Sequence, residues 1–344
     1  MLPQHKSASL FREPVAPLLK PTALQWEPAN SDLLTILTVI FEKHGVFLAA
    51  SGTSMSEISY CRMTDAARNV DLFIKIVPKR FASALQRSSR ISNYVVDCGI
   101  LSPAGIPTFP KVCMDGRVIF AYPFVEGRYL NNSMADLQRL GGALARLHTV
   151  LVNFPDAQKI ARSQRVMRAR MRQKVKDLLA DQHWASGELS PARAHLQRWF
   201  EIDSTLGKDG GQVIHNDLNV GNVLQDTQGN VWFLDFEEAR WSYLPPHFDI
   251  AKVIERFILV NEDWDVKNKI IASQRFLDAY RNVHGKNHGM GGRIPFALGW
   301  LLGFSWLRMA DLLFDREAIQ HPEVRKFLRL AELLDENEPW LTAL

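Results

Sequence analysis

Apolar residues in the first third of the chain occur in short runs, whereas in the remainder they recur with a helical period. Polar turns separate the short runs, which is typical of strands in an antiparallel sheet. One helix is predicted to follow the third run, and an earlier one is predicted between the cap at Ser31-Asp32 and Gly45. The predicted strands are 47–50, 57–63, 71–77 and 118–124, and the main helix is 81–98.

The remainder of the chain predicts a helical lobe that one β-hairpin interrupts. The hairpin has strands 222–225 and 230–234 on either side of the turn Asp-Thr-Gln-Gly. Helical periodicity and end signals define the other elements. The predicted helices are 134–151, 160–179, 191–202, 248–260, 266–283, 295–314 and 317–334.

Two changes in composition predict the domain boundaries. The first segment carries five prolines and no helical or strand period, which predicts an extended arm rather than a folded element. Composition becomes polar at Glu126-Gly127, directly after the last predicted strand of the first third. We therefore predict an arm at 1–30, a small lobe at 31–125 and a helical lobe at 126–344.

Composition and charge exclude several classes of protein. The chain has 344 residues, 47% of them hydrophobic and 23% charged, which fits two packed globular domains. Three cysteines without a CxxC pair argue against a disulfide framework or a zinc site and favour a reducing cytoplasm. The most apolar stretch, 294–307, is too short to cross a membrane, so no membrane insertion is expected. A net charge of +4 favours anionic partners such as nucleotide phosphates. The sequence has no interleaved basic and aromatic residues of the kind that bind nucleic acid, so no nucleic-acid partner is expected.

Three polar residues around the predicted hairpin have the spacing that phosphoryl transfer requires. Asp217 lies five residues before Asn222 on a loop that leads into the hairpin, and Asp235 follows the second strand. A hairpin returns Asp235 beside Asn222, so the pair can share a metal ion. The transfer needs one carboxylate to orient the acceptor hydroxyl and oxygen ligands to hold magnesium on the phosphates. A chance HxDxxxxN match is the alternative, and the hairpin context argues against it.

The segment around these residues resembles the catalytic loop and metal-binding motif of the aminoglycoside phosphotransferase and choline kinase superfamily. The resemblance implies an α+β, bilobal protein-kinase-like fold, with a five-stranded antiparallel sheet in the amino-terminal lobe and a mostly helical carboxy-terminal lobe. It also implies ATP and Mg²⁺ as cofactors. Within the motif, Asp217 matches the catalytic acid/base, and Asn222 and Asp235 match the magnesium ligands.

Two further residues are expected to act in or around this loop. His215 could serve as a general base, but a histidine that opens such a loop is more often a packed scaffold residue, and we assign it structural duty. Asp249 matches the family's aspartate at the start of the following helix, which supports the catalytic loop through hydrogen bonds. Without the resemblance Asp249 would be interpreted as a helix cap, and the two roles are compatible.

The resemblance extends to a nucleotide site in the small lobe. Lys75 stands inside an otherwise apolar strand, where a buried ammonium needs an anionic partner, and it resembles the family's phosphate-binding lysine. In the alternative, Lys75 lies on the exposed edge of an alternating strand and binds no phosphate. In the part that resembles the interlobe hinge, Pro123 and Val125 would meet adenine through backbone groups, and Tyr122 would line the pocket. The nucleotide-covering loop is expected at Ser51, Gly52, Thr53 and Ser54, although the same letters also form an ordinary turn.

The acceptor is predicted to be a small-molecule alcohol, such as an amino alcohol, an aminoglycoside or a sugar. The motifs are more similar to those of choline and ethanolamine kinases than to those of typical aminoglycoside enzymes. In choline and ethanolamine kinases an acid and aromatic residues help to hold a cationic amino alcohol. A strongly basic helix predicted around 159–176 points the other way, because it would repel a polycation and favour an acidic or phosphorylated acceptor. The residues expected to hold an amino alcohol are Glu237, Tyr243, Trp300 and Trp306, with the two tryptophans as core residues in the alternative.

One departure from the family pattern keeps a non-catalytic function open. Kinases usually pair the strand lysine with a glutamate from the next helix, yet 81–98 contains no glutamate. A nucleotide-binding pseudokinase scaffold is therefore the alternative of a different class. A protein kinase is disfavoured, because Asn219 replaces the lysine usual in serine/threonine kinases and no Ala-Pro-Glu segment follows Asp-Phe-Glu.

Overall fold

The chain folds into a strand-rich lobe followed by a larger helical lobe. No helix within the described part of the chain combines the length and the apolar character needed to cross a membrane. The computed structural model describes residues 26–29, 34, 37, 46–50, 58–66, 69–106, 111–112, 116–130, 133–180, 190–206, 210–285, 293–309 and 322–344.

A six-stranded antiparallel sheet forms the small lobe, one strand more than expected. The prediction of an extended arm is wrong at its end, because Trp26–Pro28 pairs with Val46–Ala50 as an edge strand. An edge strand tolerates Pro28, since one side of its backbone has no ladder partner. The strands are β1 (Trp26–Pro28), β2 (Val46–Ala50), β3 (Ser59–Asp65), β4 (Val70–Pro78), β5 (Lys111–Val112) and β6 (Arg117–Pro123), in the order β1-β2-β3-β4-β6-β5.

Helix α1 (Lys79–Asp97) begins directly after β4 and packs against the sheet. Residues of β4 alternate between the two faces of the sheet. Ile74 and Ile76 are buried in the core on one side, whereas Val77 is buried on the other side with Leu85 of α1. This register turns Lys75 to the side of the sheet that faces the large lobe.

The large lobe is built around one continuous apolar core. Its helices are α2 (Met134–Leu151), α3 (Ala157–Ala180), α4 (Ser190–Thr205), α5 (His247–Val253), α6 (Val266–His284), α7 (Arg293–Arg308) and α8 (Pro322–Thr342). Gly141 lets α2 lie close to α6, because a Cβ there would collide with the carbonyl oxygen of Phe276. Gly303 does the same between α7 and α4, where a Cβ would lie 2.8 Å from the carbonyl oxygen of His195.

Two small sheets position the loops of the large lobe. β9 (Val223–Gln225) and β10 (Val231–Phe233) form the predicted hairpin, and β7 (Arg128–Tyr129) pairs with the other edge of β9. β8 (Gln212–Val213) pairs with β11 (Tyr243–Leu244) and so closes the ends of the segment that contains the predicted catalytic residues.

Most long predicted elements are confirmed with shifts of a few residues at their described ends, but the last helix runs to Thr342, beyond the predicted end at 334. The helix predicted at 134–151 has those bounds, whereas the helix predicted at 248–260 changes into a π-helical turn at Ile254–Leu259. Single π turns occur frequently at functional sites. The helix predicted before Gly45 lies outside the described residues except for Leu34 and Leu37, and both of these are helical.

Candidate active site

A cleft of about 470 Å³ lies between the small-lobe sheet and the hairpin of the large lobe. Tyr60 and Phe73 line its upper wall, with their rings stacked at 5.7 Å. Leu224 and Leu234 line the opposite wall, and Lys75 supplies a positive charge. Flat apolar walls beside one buried cation suit an aromatic group that is joined to an anion.

The end of β6 and the residues directly after it close one side of the cleft. Tyr122, Pro123 and Val125 all line it, where the hinge was predicted. The Tyr122 hydroxyl lies 3.3 Å from Ser89 Oγ of α1, which holds the ring against that helix. The residues expected in the covering loop, Ser51, Gly52, Thr53 and Ser54, lie outside the described part of the chain.

Asp249, at the start of α5, fixes the backbone of the predicted catalytic loop. Its carboxylate is fully buried and accepts hydrogen bonds from the backbone N–H groups of His215, at 2.8 Å, and Asn216, at 2.7 Å. Asn216 has a φ of 62°, a left-handed conformation that non-glycine residues adopt only when their surroundings impose it. The predicted support of the loop by Asp249 therefore has a specific geometry.

A buried pair behind Asp249 was not predicted from the sequence. His148 Nε2 lies 3.0 Å from Asp249 Oδ2, and His148 Nδ1 lies 2.8 Å from the Tyr280 hydroxyl. A neutral histidine satisfies both contacts if Nε2 donates to the carboxylate and Nδ1 accepts from the tyrosine. The only sequence signal was a histidine on the inner, otherwise apolar face of α2.

His215 has a scaffold role in this geometry. It is fully buried, and its Nε2 donates to the carbonyl oxygen of Leu234 at 2.8 Å. Its Nδ1 accepts from the backbone N–H of Asp217 at 3.3 Å. With both ring nitrogens engaged by backbone groups, His215 ties the predicted catalytic loop to the end of β10 and does not present a basic nitrogen to a substrate.

The Asp217 carboxylate is oriented by two asparagines. Asn222 Nδ2 donates to Asp217 Oδ2 at 2.7 Å, and Asn219 Nδ2 donates to Oδ1 at 3.1 Å. Burial raises the pKa of Asp217, although Lys252 and the bond from Asn219 offset part of that increase. A carboxyl group with a raised pKa and a fixed orientation is suited to accept a proton.

Lys75 is held by two acids from the segment after β10. Its Nζ lies 2.9 Å from Asp235 Oδ2 and 2.8 Å from Glu237 Oε1. Burial alone would lower the pKa of Lys75, but the two carboxylates outweigh it and raise the pKa. Burial would likewise raise the pKa of Asp235, and Lys75 reverses this, so that the carboxylate stays ionised. The exposed-edge alternative for Lys75 is therefore wrong, and Glu237 supplies the acid that α1 lacks.

Asn222 and Asp235 fit a magnesium ion by the chemistry of their oxygen atoms. Both line the cleft, and Asn222 uses its amide nitrogen on Asp217, which leaves its amide oxygen for a cation. Asp235 has a φ of 56°, which turns its carboxylate back toward the cleft. Amide and carboxylate oxygens are ligands that Mg²⁺ accepts beside nucleotide phosphates and water.

A second pocket, of about 450 Å³, opens on the other side of Asp217. Asn216 and Asp217 lie at one end of it, and α5, its π turn, α7 and α8 supply the walls. The hydrogen bond between Asp217 and Asn222 connects a residue of this pocket to a residue of the cleft. Its other described lining residues are Glu238, Lys252, Arg256, Leu301, Phe304, Ser305, Arg308, Met309, Lys326 and Phe327.

The residues predicted to hold an amino alcohol are not brought together. Trp300 and Trp306 are 1% and 0% exposed and pack in the core, so the prediction that they form part of a cage is wrong. They occupy faces of α7 that turn toward neighbouring helices, as apolar helix residues commonly do. Tyr243 lies in β11 and lines neither pocket, and Glu237 lies in the cleft beside Lys75.

A cleft between two lobes, next to a second pocket at an oriented carboxylate, is typical of a kinase-like phosphotransferase. Residues 55–289 match the phosphotransferase enzyme family, APH, and the chain belongs to that family. Its class of activity is small-molecule phosphotransfer. The comparison with curated sequences gave no significant match.

Several solved structures share the fold. Spectinomycin phosphotransferase, in complex with ADP and spectinomycin, is 13% identical, with 92% of this chain and 99% of that chain covered and a TM-score of 0.56. An aminoglycoside phosphotransferase from Streptomyces rimosus is 17% identical, with 78% and 96% covered and a TM-score of 0.51. An ethanolamine kinase from Plasmodium vivax is 13% identical, with 91% and 83% covered and a TM-score of 0.54. At this level of identity the likeness establishes the fold.

Proposed function

We propose that this protein transfers the γ-phosphoryl group of ATP, with Mg²⁺, to a hydroxyl group of a small molecule. One observation carries the proposal: Asn222 lines the cleft, Asp217 lines the second pocket, and the 2.7 Å hydrogen bond between them joins the two. A nucleotide in the cleft and an alcohol in the second pocket would therefore meet at Asp217.

The residues of the cleft divide the binding of the nucleotide among them. The backbone at Pro123 and Val125 would contact the base, and the Lys75 ammonium would bind phosphate oxygens in exchange for part of its contact with the acids. Asn222 and Asp235 would hold magnesium, which when bound supplies positive charge that neutralises the phosphates. Strong anionic partners for Lys75 already exist in the free protein, so the nucleotide meets a charged and oriented ammonium.

Asp217 would act on the acceptor. Its carboxylate would orient the hydroxyl and accept the proton as the oxygen bonds to phosphorus. Its raised pKa, caused by burial, favours this role, because a weakly acidic carboxyl group holds a transferred proton better than an ordinary aspartate does.

A nucleotide-binding scaffold is the rival of a different class, and its main support was the missing glutamate of α1. Glu237, 2.8 Å from Lys75, would take that role, which favours an active enzyme. A protein kinase is disfavoured by Asn219, which replaces the lysine usual in serine/threonine kinases.

An acceptor screen by coupled ADP release tests the proposal. Purified protein is mixed with ATP, with or without MgCl₂, and with a panel of small alcohols. We expect ADP release that requires both magnesium and an acceptor, together with a phosphorylated product detected by mass spectrometry. Tight ATP binding without any acceptor-dependent ADP release, across neutral, anionic and cationic alcohols, would favour the scaffold instead.

A further inference from the structure

The described walls of the second pocket carry more positive than negative charge. Two carboxylates line it, Asp217 and Glu238, and Glu238 lies 3.5 Å from Arg308 and offsets part of its charge. Four cations line it: Lys252, Arg256, Arg308 and Lys326.

Two of these cations are buried and share one carboxylate. The side chains of Lys252 and Arg256 are 9% and 12% exposed, and both approach Glu255 Oε1, at 3.3 and 2.6 Å. Burial lowers the pKa of Lys252, and Glu255 offsets only part of this. One carboxylate leaves this buried pair with a net positive charge, which is costly unless a further anion is close. Asp217 supplies part of the negative charge that this pair needs in the free protein.

The other two cations lie beside the aromatic rings of the pocket. The Arg308 guanidinium lies 6.0 Å from the Phe304 ring centroid, and Lys326 Nζ lies 4.9 Å from that of Phe327. A quaternary or primary ammonium would need these ring faces for a cation–π contact. The protein's own cations lie beside these two rings and would repel a further cation, so the pocket disfavours choline, ethanolamine and aminoglycosides.

An amide oxygen in the same pocket can accept a hydrogen bond from an uncharged donor on the acceptor molecule. Asn216 Oδ1 is buried and has no hydrogen-bond partner within the described residues. A buried acceptor without a partner costs free energy that a donor on a ligand would recover. Asn216 lies next to Asp217, where a hydroxyl of the acceptor is expected.

The predicted basic helix is not the source of this charge. Arg168 and Arg172 of α3 are turned to the buried carboxylate of Asp203, at 2.7 and 3.4 Å, and no α3 residue is among the described lining of the second pocket. The cations of the pocket come from α5 with its π turn, from α7 and from α8.

We propose that the acceptor is an alcohol that carries an anionic group, a carboxylate or a phosphate ester, bound by Lys252, Arg256 and Arg308 while its hydroxyl faces Asp217. This inference rests on the proposed function and deepens it. In the reaction, the acceptor oxygen bonds to the γ-phosphorus and its proton passes to Asp217. The bond from the γ-phosphorus to the β,γ-bridging oxygen breaks, and ADP leaves with the electron pair.

Anion binding is measured first, without turnover. The protein is saturated with magnesium and a β,γ-imido analogue of ATP, so that the cleft is filled, and inorganic phosphate is titrated by calorimetry. Arg308→Gln, on a side chain that is 58% exposed, should weaken phosphate binding by about fivefold or more without unfolding the protein. The matched control is Arg293→Gln, at the exposed opposite end of α7, which should leave the affinity unchanged. Absence of phosphate binding, or equal loss in both variants, would overturn the inference.

Matched pairs of acceptors then show which anionic group the pocket binds. They also distinguish a failure of this inference from a failure of the proposed kinase function. The pairs are L-serine with ethanolamine, D-gluconate with D-sorbitol, and glycerol 3-phosphate with glycerol, with choline and kanamycin as cationic probes. We expect kcat/KM to be higher by about tenfold or more for the member of each pair that carries a carboxylate or phosphate group, and Arg308→Gln to reduce that preference. Preferred turnover of ethanolamine, choline or kanamycin would keep the kinase and reject the anionic acceptor. Phosphate binding that depends on Arg308, with no phosphorylation of any probe, would keep the anion site and reject the kinase.

Discussion

Lys75 Nζ of the small-lobe sheet lies 2.8 Å from Glu237 Oε1, which follows the hairpin of the large lobe. The two residues are 162 positions apart in sequence, and their contact crosses the cleft. Because α1 contains no glutamate, this ion pair takes the place of the pairing usual in kinases between the strand lysine and the next helix. The lysine is thus fixed by the lobe that also carries the catalytic loop.

Glu237→Gln should impair the use of ATP more than the use of the acceptor. The change removes one charge-assisted hydrogen bond from Lys75, and we expect kcat/KM for ATP to fall by about tenfold with the acceptor KM changed by less than about twofold. Glu238→Gln is the matched control, since the next side chain lines the second pocket and should alter acceptor kinetics instead. A raised acceptor KM with normal ATP kinetics in Glu237→Gln would return this residue to a role in holding the acceptor.

Lys75→Met should weaken binding of magnesium–ATP while leaving acceptor binding nearly unchanged. Methionine keeps the apolar stem but removes the ammonium, and Asp235 and Glu237 would then repel the phosphates. Calorimetry with magnesium present measures the effect, which should be about tenfold or larger. Lys79→Met, on the exposed first turn of α1, is the control and should bind ATP normally. Equal affinity in the two variants would exclude phosphate as the partner of Lys75.

Asp235→Asn should abolish magnesium-dependent turnover in a folded protein. Asparagine tolerates the left-handed backbone at this position, where φ is 56°, so the loss can be assigned to the charge and not to strain. We expect at least about a hundredfold lower kcat at any magnesium concentration, with an unchanged circular dichroism spectrum. A variant that retains more than about a tenth of the wild-type activity would contradict the assignment of Asp235 as a metal ligand.

Asp249→Asn should destabilise the large lobe strongly, because the buried carboxylate accepts hydrogen bonds from two backbone N–H groups and from His148. A loss of about 2–4 kcal/mol in the free energy of unfolding is expected from urea titration. Tyr280→Phe removes only the hydroxyl on the far side of His148 and should cost about 1 kcal/mol. If the two variants lost equal stability, the carboxylate would not be the centre of this network.

Long, strongly periodic elements could be predicted from the sequence, and contacts between distant segments could not. The helix Met134–Leu151 was predicted with its bounds, since a cap and an apolar stripe define it locally. The two-residue strands β5, β7, β8 and β11 are too short to show a period, and they exist because the tertiary fold brings their partners together.

The local geometry of the candidate site was predictable where its residues lie in one stretch of sequence. The spacing of Asp217, Asn222 and Asp235 gave the loop and hairpin that the structure contains. The pairing of Lys75 with Glu237 was not predictable, because Glu237 was interpreted only as an acceptor residue. Trp300 was misplaced for a related reason: periodicity does not tell which apolar face of a buried helix borders a pocket.

The most direct test of the account is the kinetics of Asp217→Asn beside its affinity for magnesium–ATP. Asparagine keeps the shape of the side chain but loses the charge and the proton acceptor, so kcat should fall by about a hundredfold to ten-thousandfold. Because Asp217 lines the second pocket and not the cleft, the dissociation constant for magnesium–ATP should change by less than about threefold. The rate is measured by coupled ADP release with an acceptor that the wild-type protein phosphorylates. A near-normal kcat in Asp217→Asn would contradict the central claim that Asp217 is the catalytic base.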